Sequence, residues 1–264
     1  MEITLSELKK IQTDMLIVID KFCRANNIKY SLSQGSLIGA VRHKGFIPWD
    51  DDIDIMMLRP DYERFVNAFN QHHDYIKVHT PDNDDTYCHP YAKVYDERTY
   101  LYDSEINGSV YIDVWPIDGW PEKELVAVHR NRISQIERQL ERSTKFYKFV
   151  FPKFYTYIKY LIKSLYTPSR KKICKKLREA FYLYPTHSAS YVGLIVGPYG
   201  TKEYYPRQTF ESYIELEFEV HKLMCIKDYD TYLSTLYGKY MELPPVEKRK
   251  PHHNYLKVCW KCIY

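Results

Sequence analysis

The chain of 264 residues has no long hydrophobic run and no recognisable leader. No stretch approaches the roughly 18 to 20 uninterrupted apolar residues that a membrane-spanning helix needs. The amino terminus, MEITLSELKK, lacks the basic and then apolar regions of a signal peptide. The six cysteines are scattered, which in a reducing compartment indicates free thiols rather than a disulfide framework. These shortages together predict a cytoplasmic protein.

The chain also lacks a strong excess of charge of either sign. Its formal net charge of +4 is too small to indicate nucleic acid binding by itself, and we expect no nucleic acid partner. With 45% hydrophobic residues it can bury a sizeable core, which excludes a disordered chain. The composition therefore predicts one large domain, or a domain with a helical lobe.

Acidic residues are absent from one long segment, between Glu141 and Glu179. Lysine and arginine there alternate with phenylalanine and tyrosine, a mixture that suits an anionic membrane surface, where each basic charge contributes on the order of 1 kcal/mol. We expect a peripheral membrane contact through residues 144–178, at the inner face of the membrane. A buried helix with a solvated basic face is the alternative, and RNA binding is a weaker one.

The stretch GFIPWDDDIDIMM, residues 45–57, instead places four aspartates directly beside apolar residues. Asp52-Ile53-Asp54-Ile55 alternates with the period of a β-strand, so that both acids share one face and both isoleucines the other. Neighbouring carboxylates on a rigid element repel one another unless positive charge lies between them. Mg²⁺ or Mn²⁺, which prefer oxygen ligands, would meet that need. The pattern predicts a metal site, with a solvated edge or a Ca²⁺-like loop as the alternatives.

Two further features indicate phosphate chemistry. A predicted strand at 28–33 is followed by the turn Gly35-Ser36 and a predicted helix, the order expected of a phosphate-binding element. Asp113 is the lone acid of the apolar stretch YIDVW, and it supplies the third carboxylate that two-metal phosphate chemistry usually needs. Asp118 is the fallback for this position.

The remaining patterns predict an α+β protein. Helices are expected from Thr4 to about Asn26, from Arg59, and from Tyr229 to a stop at Gly238. Further strands are expected at 75–79, 91–95 and 110–114. We divide the chain into a catalytic core (1–120), a helical, basic and aromatic lobe (121–190), and a C-terminal segment that completes the active site (191–264).

Several of these stretches resemble the LicD family, whose named activity is phosphocholine transfer, and the related fukutin-type sugar-phosphate transferases. The most specific block is YSLSQGSLIGAVRHKGFIPWDDDIDIMMLRPDYERF, residues 30–65. HPYAKVYDERTY (89–100), YIDVWPIDGW (111–120) and DYDTYLSTLYGKYMELPPVEKRKPHH (228–253) support it. The resemblance is weak over residues 122–204.

The resemblance implies a nucleotidyltransferase-like mixed β-sheet core with flanking helices. It also implies a CDP-activated alcohol donor, such as CDP-choline, and a glycan or lipid-linked glycan acceptor of the teichoic acid, capsule or lipopolysaccharide type. The phospho-alcohol passes to an acceptor hydroxyl, and CMP leaves.

The resemblance also assigns roles to particular residues. Gln34, Gly35 and Ser36 would hold the donor phosphate, while Asp52 and Asp54 would bind the metal. Asp113 would complete the metal site or orient the acceptor hydroxyl. Ser36 stands where a second glycine is common, and Val220 and Ile226 stand where the family has glycine and proline, so the donor and acceptor stay open.

Basic and aromatic residues near these motifs are further candidates. Arg42, His43 and Lys93 are predicted to contact the diphosphate and stabilise the charge of the leaving group, an ordinary solvated basic cluster being the alternative. Trp49 is interpreted first as packing and second as a cation–π contact for choline. The accessory candidates are Asp50, Arg249, His252 and His253.

The carboxyl-terminal stretch has a second interpretation. His252 and His253 precede the pair Cys259 and Cys262, and the four side chains together would form an irregular zinc site. The resemblance instead places both histidines, with Arg249, near the active site.

The predicted function is Mg²⁺-dependent transfer of a phospho-alcohol, with phosphocholine as the first choice. Ribitol-phosphate or glycerol-phosphate transfer and true nucleotidyl transfer are the alternatives among enzymes. A non-catalytic, membrane-peripheral binding module is the alternative from another class.

Overall fold

The computed structural model describes residues 2–103, 107–145, 168–251, 253 and 255–261. Six α-helices within these residues accompany an eight-stranded mixed sheet and a two-stranded hairpin, which confirms the predicted α+β class. The helices are α1 (Leu5–Ala25), α2 (Gln34–Ile38), α3 (Arg59–Ala68), α4 (Val126–Lys145), α5 (Arg170–Phe181) and α6 (Tyr229–Tyr237). The strands are β1 (Ser31–Leu32), β2 (Asp54–Leu58), β3 (Ile76–His79), β4 (Ala92–Asp103), β5 (Asn107–Trp120), β6 (Tyr191–Gly193), β7 (Tyr205–Pro206), β8 (Tyr213–Phe218), β9 (His221–Ile226) and β10 (Tyr255–Trp260).

The main sheet runs in the order β1-β2-β5-β4-β10. β2 and β5 are parallel, whereas their other neighbours pair antiparallel. β3 pairs with the first half of β4 and β10 with the second half, while β6 extends the sheet from the end of β5. Of the strands in segment 191–264, β6, β7 and β10 thus join the same sheet as the amino-terminal strands, whereas β8 and β9 form the separate hairpin. The division into three regions stays a prediction.

Helix α1 begins at the predicted capping box. The Thr4 hydroxyl accepts a hydrogen bond from the Glu7 backbone N–H, and the Glu7 carboxylate accepts one from the Thr4 backbone N–H. These two bonds satisfy amide donors that the first turn of a helix leaves without partners. The buried stripe of α1 includes Leu8, Met15 and Ile19, which anchor the helix to the core.

Helices α1 and α3 lie side by side on one face of the sheet. Phe22 of α1 packs edge-on against Phe65 and Phe69, with ring centroids 6.0 and 5.2 Å apart. At the start of α3, the Arg59 guanidinium donates two hydrogen bonds of 2.6 Å to the Asp118 carboxylate of β5. Since side chains alternate along a strand, Asp118 and these helices share the apolar face of the sheet, and odd-numbered residues of β5 point to the opposite face.

Helices α4 and α5 pack against each other in the region predicted as a lobe. The apolar side of α5 is buried through residues such as Ile173, Leu177 and Phe181, and its lysines are exposed. Over residues 170–178 the chain is therefore a packed helix with a solvated basic face. Residues 146–167 lie outside the described residues, so the membrane contact expected for 144–178 stays a prediction. Among the described helices, none combines the length and apolarity needed to cross a membrane.

Candidate active site

Three neighbouring strands place charged side chains in one row across the sheet. Asp54 on β2 is in register with Asp113 on β5, and Asp113 is in register with Lys93 on β4. The Lys93 Nζ atom lies 2.7 Å from Asp113 Oδ1, and both side chains are about nine-tenths buried. The residues adjacent to the two acids in their strands, such as Ile55 and Ile112, are buried on the other face. A row of two acids and one base therefore crosses the middle of the sheet.

The loop before β2 adds three more carboxylates. One oxygen from each of Asp50, Asp51 and Asp52 lies within 4.8 Å of the others, and Asp50 and Asp51 are buried. The sequence predicts Asp52 and Asp54 on one strand, but β2 begins only at Asp54, so Asp52 belongs to the loop. The two acids are still neighbours: burial and then the charge of Asp52 raise the pKa of Asp54 well above its usual range.

Negative charge in this cluster is costly. Burial, and after it the neighbouring Asp52 and Asp51, raise the pKa of Asp50 to about 8. Burial also raises the pKa of Asp113, although the ammonium group of Lys93 opposes that rise.

A set of carboxylate oxygens that repel one another is the donor chemistry that Mg²⁺ or Mn²⁺ prefers. The residues present therefore fit the expected metal. The acids of this cluster are Asp50, Asp51, Asp52, Asp54 and Asp113, of which Asp51 has no role assigned from the sequence.

The glycine turn contacts these acids directly. The Ser36 hydroxyl accepts a hydrogen bond from the Asp54 backbone N–H at 2.9 Å. A Cβ atom on Gly35 would lie 2.7 Å from Asp50 Oδ2, so a side chain at this position would have to displace the Asp50 carboxylate. The structure thus brings Gly35 and Ser36 next to the acids, and their role in phosphate binding stays a prediction.

Gln34, the first residue of α2, has two unusual properties. Its φ of 45° lies in the left-handed region, which is strained for a residue other than glycine. Its side chain is buried, and within the described residues its Nε2 atom has no hydrogen-bond partner. Because a buried amide donor without a partner costs free energy, a ligand oxygen at this position would satisfy it. This geometry suits the expected contact of Gln34 with a phosphate.

Arg42 and His43 form a link to the C-terminal segment. Arg42 donates hydrogen bonds to the backbone carbonyls of Tyr240 and Glu242, and to the His43 ring at 3.0 Å. Arg42 therefore holds the π-helical turn after α2 against the loop after α6. Its predicted contact with the diphosphate is not tested by this geometry.

Trp49 packs against a cation of the chain itself. The Arg249 guanidinium carbon lies 5.6 Å from the centroid of the Trp49 ring, and the His43 ring lies 6.4 Å from it. The cation–π contact of Trp49 is thus taken by Arg249. This arrangement favours packing over choline contact for Trp49, and it places Arg249 beside the acidic loop.

His253 contacts the acid cluster from the carboxyl-terminal segment. Its Nδ1 atom lies 3.0 Å from Asp51 Oδ1, and its Nε2 atom lies 3.2 Å from the Tyr111 hydroxyl. Burial lowers the pKa of His253, but Asp51 and Asp52 outweigh burial, so the pKa is raised. A neighbouring positive charge then compensates part of the negative charge of the cluster.

The zinc alternative concerns residues at the same end of the chain. His252 and Cys262 lie outside the described residues, so this site stays a prediction. Cys259 lies on β10, and His253 directs its ring to Asp51 and Tyr111.

Asp118, the fallback for the third acid, is not brought to the cluster. It lies on the opposite face of β5 from Asp113, and its buried carboxylate accepts hydrogen bonds from Nε and Nη2 of Arg59. Asp118 therefore joins α3 to the sheet.

Sequence reasoning missed several aromatic residues at the site. Trp115 donates its indole N–H to Asp54 Oδ1 at 2.7 Å, and the Tyr91 ring stacks on Trp115 at 3.8 Å. Both lie two residues from a charged residue of the row, so the period of two was a signal that could have found them. Tyr199 and Tyr237 come from distant segments, and no local pattern points to them.

Comparison with known proteins finds the following similarities. Residues 27–170 match a family model described as LicD/FKTN/FKRP, nucleotidyltransferase domain. The chain is 34% identical over 258 residues to "Lipopolysaccharide cholinephosphotransferase LicD" of Haemophilus influenzae. The aligned residues make up 96% of this chain and 97% of that protein.

Two rickettsial proteins show shorter matches. The uncharacterized protein RT0683 of Rickettsia typhi is 32% identical over 123 residues, which are 42% of this chain and 36% of that protein. The uncharacterized protein RP689 of Rickettsia prowazekii is 58% identical over 36 residues, 14% of each chain.

Proposed function

The chain belongs to the LicD family, and we propose on this premise that it transfers phosphocholine from CDP-choline to a hydroxyl group of a cell-surface glycan precursor. The relative from Haemophilus influenzae is named as a lipopolysaccharide cholinephosphotransferase and aligns with nearly the whole chain, which supports this donor group and a lipopolysaccharide-type acceptor. The single observation that carries the proposal is the row of Asp54, Asp113 and Lys93 beside the acidic loop, because oxygen donors around a phosphate site suit phosphoryl transfer.

We propose that Asp52, Asp54 and Asp113 hold Mg²⁺ or Mn²⁺, with Asp50 and Asp51 beside them. When bound, the metal would neutralise charge on the donor diphosphate and on the departing CMP. The Trp115 indole N–H fixes the orientation of the Asp54 carboxylate. Lys93 favours the ionised form of the buried Asp113. A carboxylate must be ionised to bind a metal or to accept a proton.

The reaction exchanges one P–O bond for another. The acceptor hydroxyl oxygen attacks the phosphorus that carries choline, and the bond from that phosphorus to the CMP oxygen breaks. Asp113 is our candidate to orient the hydroxyl and receive its proton. Gln34, Gly35 and Ser36 would hold the donor phosphates, and Arg42, His43 and Lys93 would compensate the charge that moves to CMP.

The proposed setting is the cytoplasm, at the inner face of the membrane, where a lipid-linked glycan precursor would meet a nucleotide-activated donor. Ribitol-phosphate or glycerol-phosphate transfer is the nearest alternative, since the same acids would serve any CDP-alcohol. A true nucleotidyltransferase would use the same acids but leave the nucleotide on the acceptor. A membrane-peripheral binding module without catalysis would need none of the acids.

A ligand screen tests this proposal. The purified chain is melted with CDP-choline, CDP-ribitol, CDP-glycerol, CTP and UDP-sugars, each with and without Mg²⁺. We expect metal-dependent stabilisation by CDP-choline, because a ligand that binds only the folded state raises the melting temperature. The Asp52→Asn variant is the control, in which the metal-dependent part should disappear.

Product mass then separates the enzymatic alternatives. Phosphocholine on the acceptor with release of CMP supports the proposal. A nucleotide on the acceptor, or stabilisation by another CDP-alcohol in place of CDP-choline, contradicts it.

A further inference from the structure

Two pairs of aromatic side chains lie beside Asp54. The first pair comes from the sheet itself, where Tyr91 precedes β4 and Trp115 lies on β5. Because Lys93 is in register with Asp113, the next residues on the same face are Tyr91 and Trp115, and their rings stack at 3.8 Å with an angle of 28°. The Trp115 indole N–H reaches Asp54 Oδ1 at 2.7 Å, so this stack is attached to the acid row.

The second pair comes from the C-terminal part of the chain. The Tyr199 hydroxyl donates to the Tyr237 hydroxyl at 2.8 Å, and the two rings meet edge to face. Tyr237 lies in the last turn of α6, the helix whose Tyr232 hydroxyl lies 3.1 Å from the Ser33 hydroxyl. The Ser33 backbone N–H in turn donates to the Asp54 carbonyl at 2.9 Å. This chain of contacts places α6 over the start of β2.

The charge of the acids also acts on the second pair. Burial raises the pKa of both Tyr199 and Tyr237, and the negative charge of Asp54 adds to the rise in each. Asp50 acts on Tyr199 in the same direction. The two pairs therefore approach Asp54 from different parts of the fold.

Exposure distinguishes these rings from the tyrosines of the core. Tyr232 on α6, and Tyr205 that packs against it, are at most 1% exposed. Tyr91, Tyr199 and Tyr237 are only half-buried. These three rings therefore keep part of their surface accessible, as a ligand subsite requires.

We propose that Tyr91, Trp115, Tyr199 and Tyr237 form the subsite for the quaternary ammonium group of the donor. This inference rests on the proposed function. A trimethylammonium group has no N–H to donate, and its charge is attracted to the faces of aromatic rings. Tyr91 and Trp115 are in contact with each other, so the cation packs on the outer side of their stack rather than between them. Ribitol and glycerol carry hydroxyls instead of a cation, and these rings would not recognise them.

The test compares two donors of the same shape that differ in charge. One is CDP-choline, and the other is the CDP ester of 3,3-dimethylbutanol, in which carbon replaces the charged nitrogen. Equilibrium binding is measured in the presence of Mg²⁺. Since a cation–π contact in a desolvated site contributes about 1 to 2 kcal/mol, we expect the wild type to prefer CDP-choline by about five- to thirtyfold.

Variants at the rings test which side chains supply this preference. Tyr91→Leu and Tyr199→Leu should each reduce the preference about fivefold or more, and affinity for the neutral donor should change less than about twofold. Tyr91→Phe and Tyr199→Phe keep the ring face and should keep the preference. Tyr182→Leu, at an exposed tyrosine that follows α5, is the matched control and should bind both donors as the wild type does.

Each outcome separates the subsite from the proposed function. If wild type and leucine variants bind CDP-choline with an unchanged preference, the subsite is wrong and the proposed function stands. Equal losses for both donors in the leucine variants also overturn the subsite, because they indicate a change of packing. A wild type that binds another CDP-alcohol but no CDP-choline overturns the proposed function, and the subsite with it.

Discussion

Asp52 and Asp54 stand among carboxylates that repel one another. Burial, and after it this repulsion, raises the pKa of Asp50 and Asp54. Such a cluster destabilises the folded chain, so its retention in the fold is better explained by function than by stability. Replacing one acid with its neutral amide separates the two effects.

We predict that Asp52→Asn and Asp54→Asn each lower phosphocholine transfer by at least about a hundredfold, because each removes an oxygen anion from the proposed metal site. The free energy of unfolding in urea, measured without metal, should be unchanged or higher, since one repelling charge is gone. Asp14→Asn is the matched control, because the side chain of Asp14 is 68% exposed on α1. Near-full activity in either test variant would contradict the assignment.

Glu203 is a further buried acid, and the proposed reaction does not use it. The residue is 0% exposed, and burial raises its pKa to about 8, although the backbone of Leu194 opposes the rise. In the unfolded chain a glutamate titrates near about 4.3. Between these two values the folded state holds a proton that the unfolded state has lost, so the free energy of unfolding falls as pH rises toward 8.

The variant Glu203→Gln should lack this dependence, since glutamine resembles the protonated acid. We expect it to match the wild type near pH 5 and to be more stable at pH 8.5, by up to several kcal/mol. Urea unfolding at both pH values measures the difference. Glu217→Gln, at an exposed position of β8, serves as control, and a Glu203→Gln variant less stable than wild type at pH 8.5 would contradict the argument.

At the scale of elements, local patterns predicted the parts that depend on near neighbours in sequence. The capping box of α1, the proline in the first turn of α3 and the glycine stop of α6 all stand where the sequence predicts them. Asp54, Asp113 and Lys93 likewise lie on strands that the sequence predicts, and the period of two sets the face on which each of them lies.

Elements shaped by distant contacts could not be predicted in this way. The turn after α2 is π-helical, and a Cβ atom on Gly39 would lie within 2.4 Å of the Gly45 carbonyl oxygen, a contact that only the folded loop creates. The loop before β2 is held by α1, whose Gln12 side chain donates to the Asp51 carbonyl at 3.1 Å, a contact that no local pattern indicates. Tyr237 reaches the site because α6 packs against the residues that begin the glycine turn. The sequence around Tyr237 does not indicate this contact.

Asp118 joins α3 to β5 through Arg59, and this structural role separates it from the acids of the site. Asp118→Asn would remove one charge from a buried pair and leave Arg59 without its main counter-charge. We expect the free energy of unfolding to fall by about 3 to 5 kcal/mol, because an unpaired buried charge is costly. Below the melting temperature, kcat of the folded fraction should stay within about twofold of wild type. A loss of kcat as large as that of Asp113→Asn would instead place Asp118 in the site.

At the scale of the whole molecule, the distribution of charge matters more than its total. The net charge is only +4, yet α5 presents a row of exposed lysines to solvent. These lysines are Lys171, Lys172, Lys175 and Lys176. The apolar side of the same helix is buried in the protein, so α5 can meet a membrane only through charge.

We predict that replacing these four lysines of α5 with glutamine weakens binding to vesicles containing anionic lipid by about a hundredfold or more. Each basic charge near the headgroups contributes on the order of 1 kcal/mol, and salt should weaken the wild-type binding in parallel. Vesicle co-sedimentation at two salt concentrations measures both effects.

The matched control replaces four exposed lysines elsewhere, at Lys10, Lys21, Lys29 and Lys222, and so changes the net charge equally. If location matters, the control variant keeps most of its vesicle binding, and both variants bind CDP-choline as the wild type does, because neither set touches the acid row. Equal losses in the two variants would mean that net charge alone draws the protein to the surface. A wild type that does not sediment with anionic vesicles would rule out this face as a membrane contact. The exposed lysines of α5 would then serve only to keep the protein soluble.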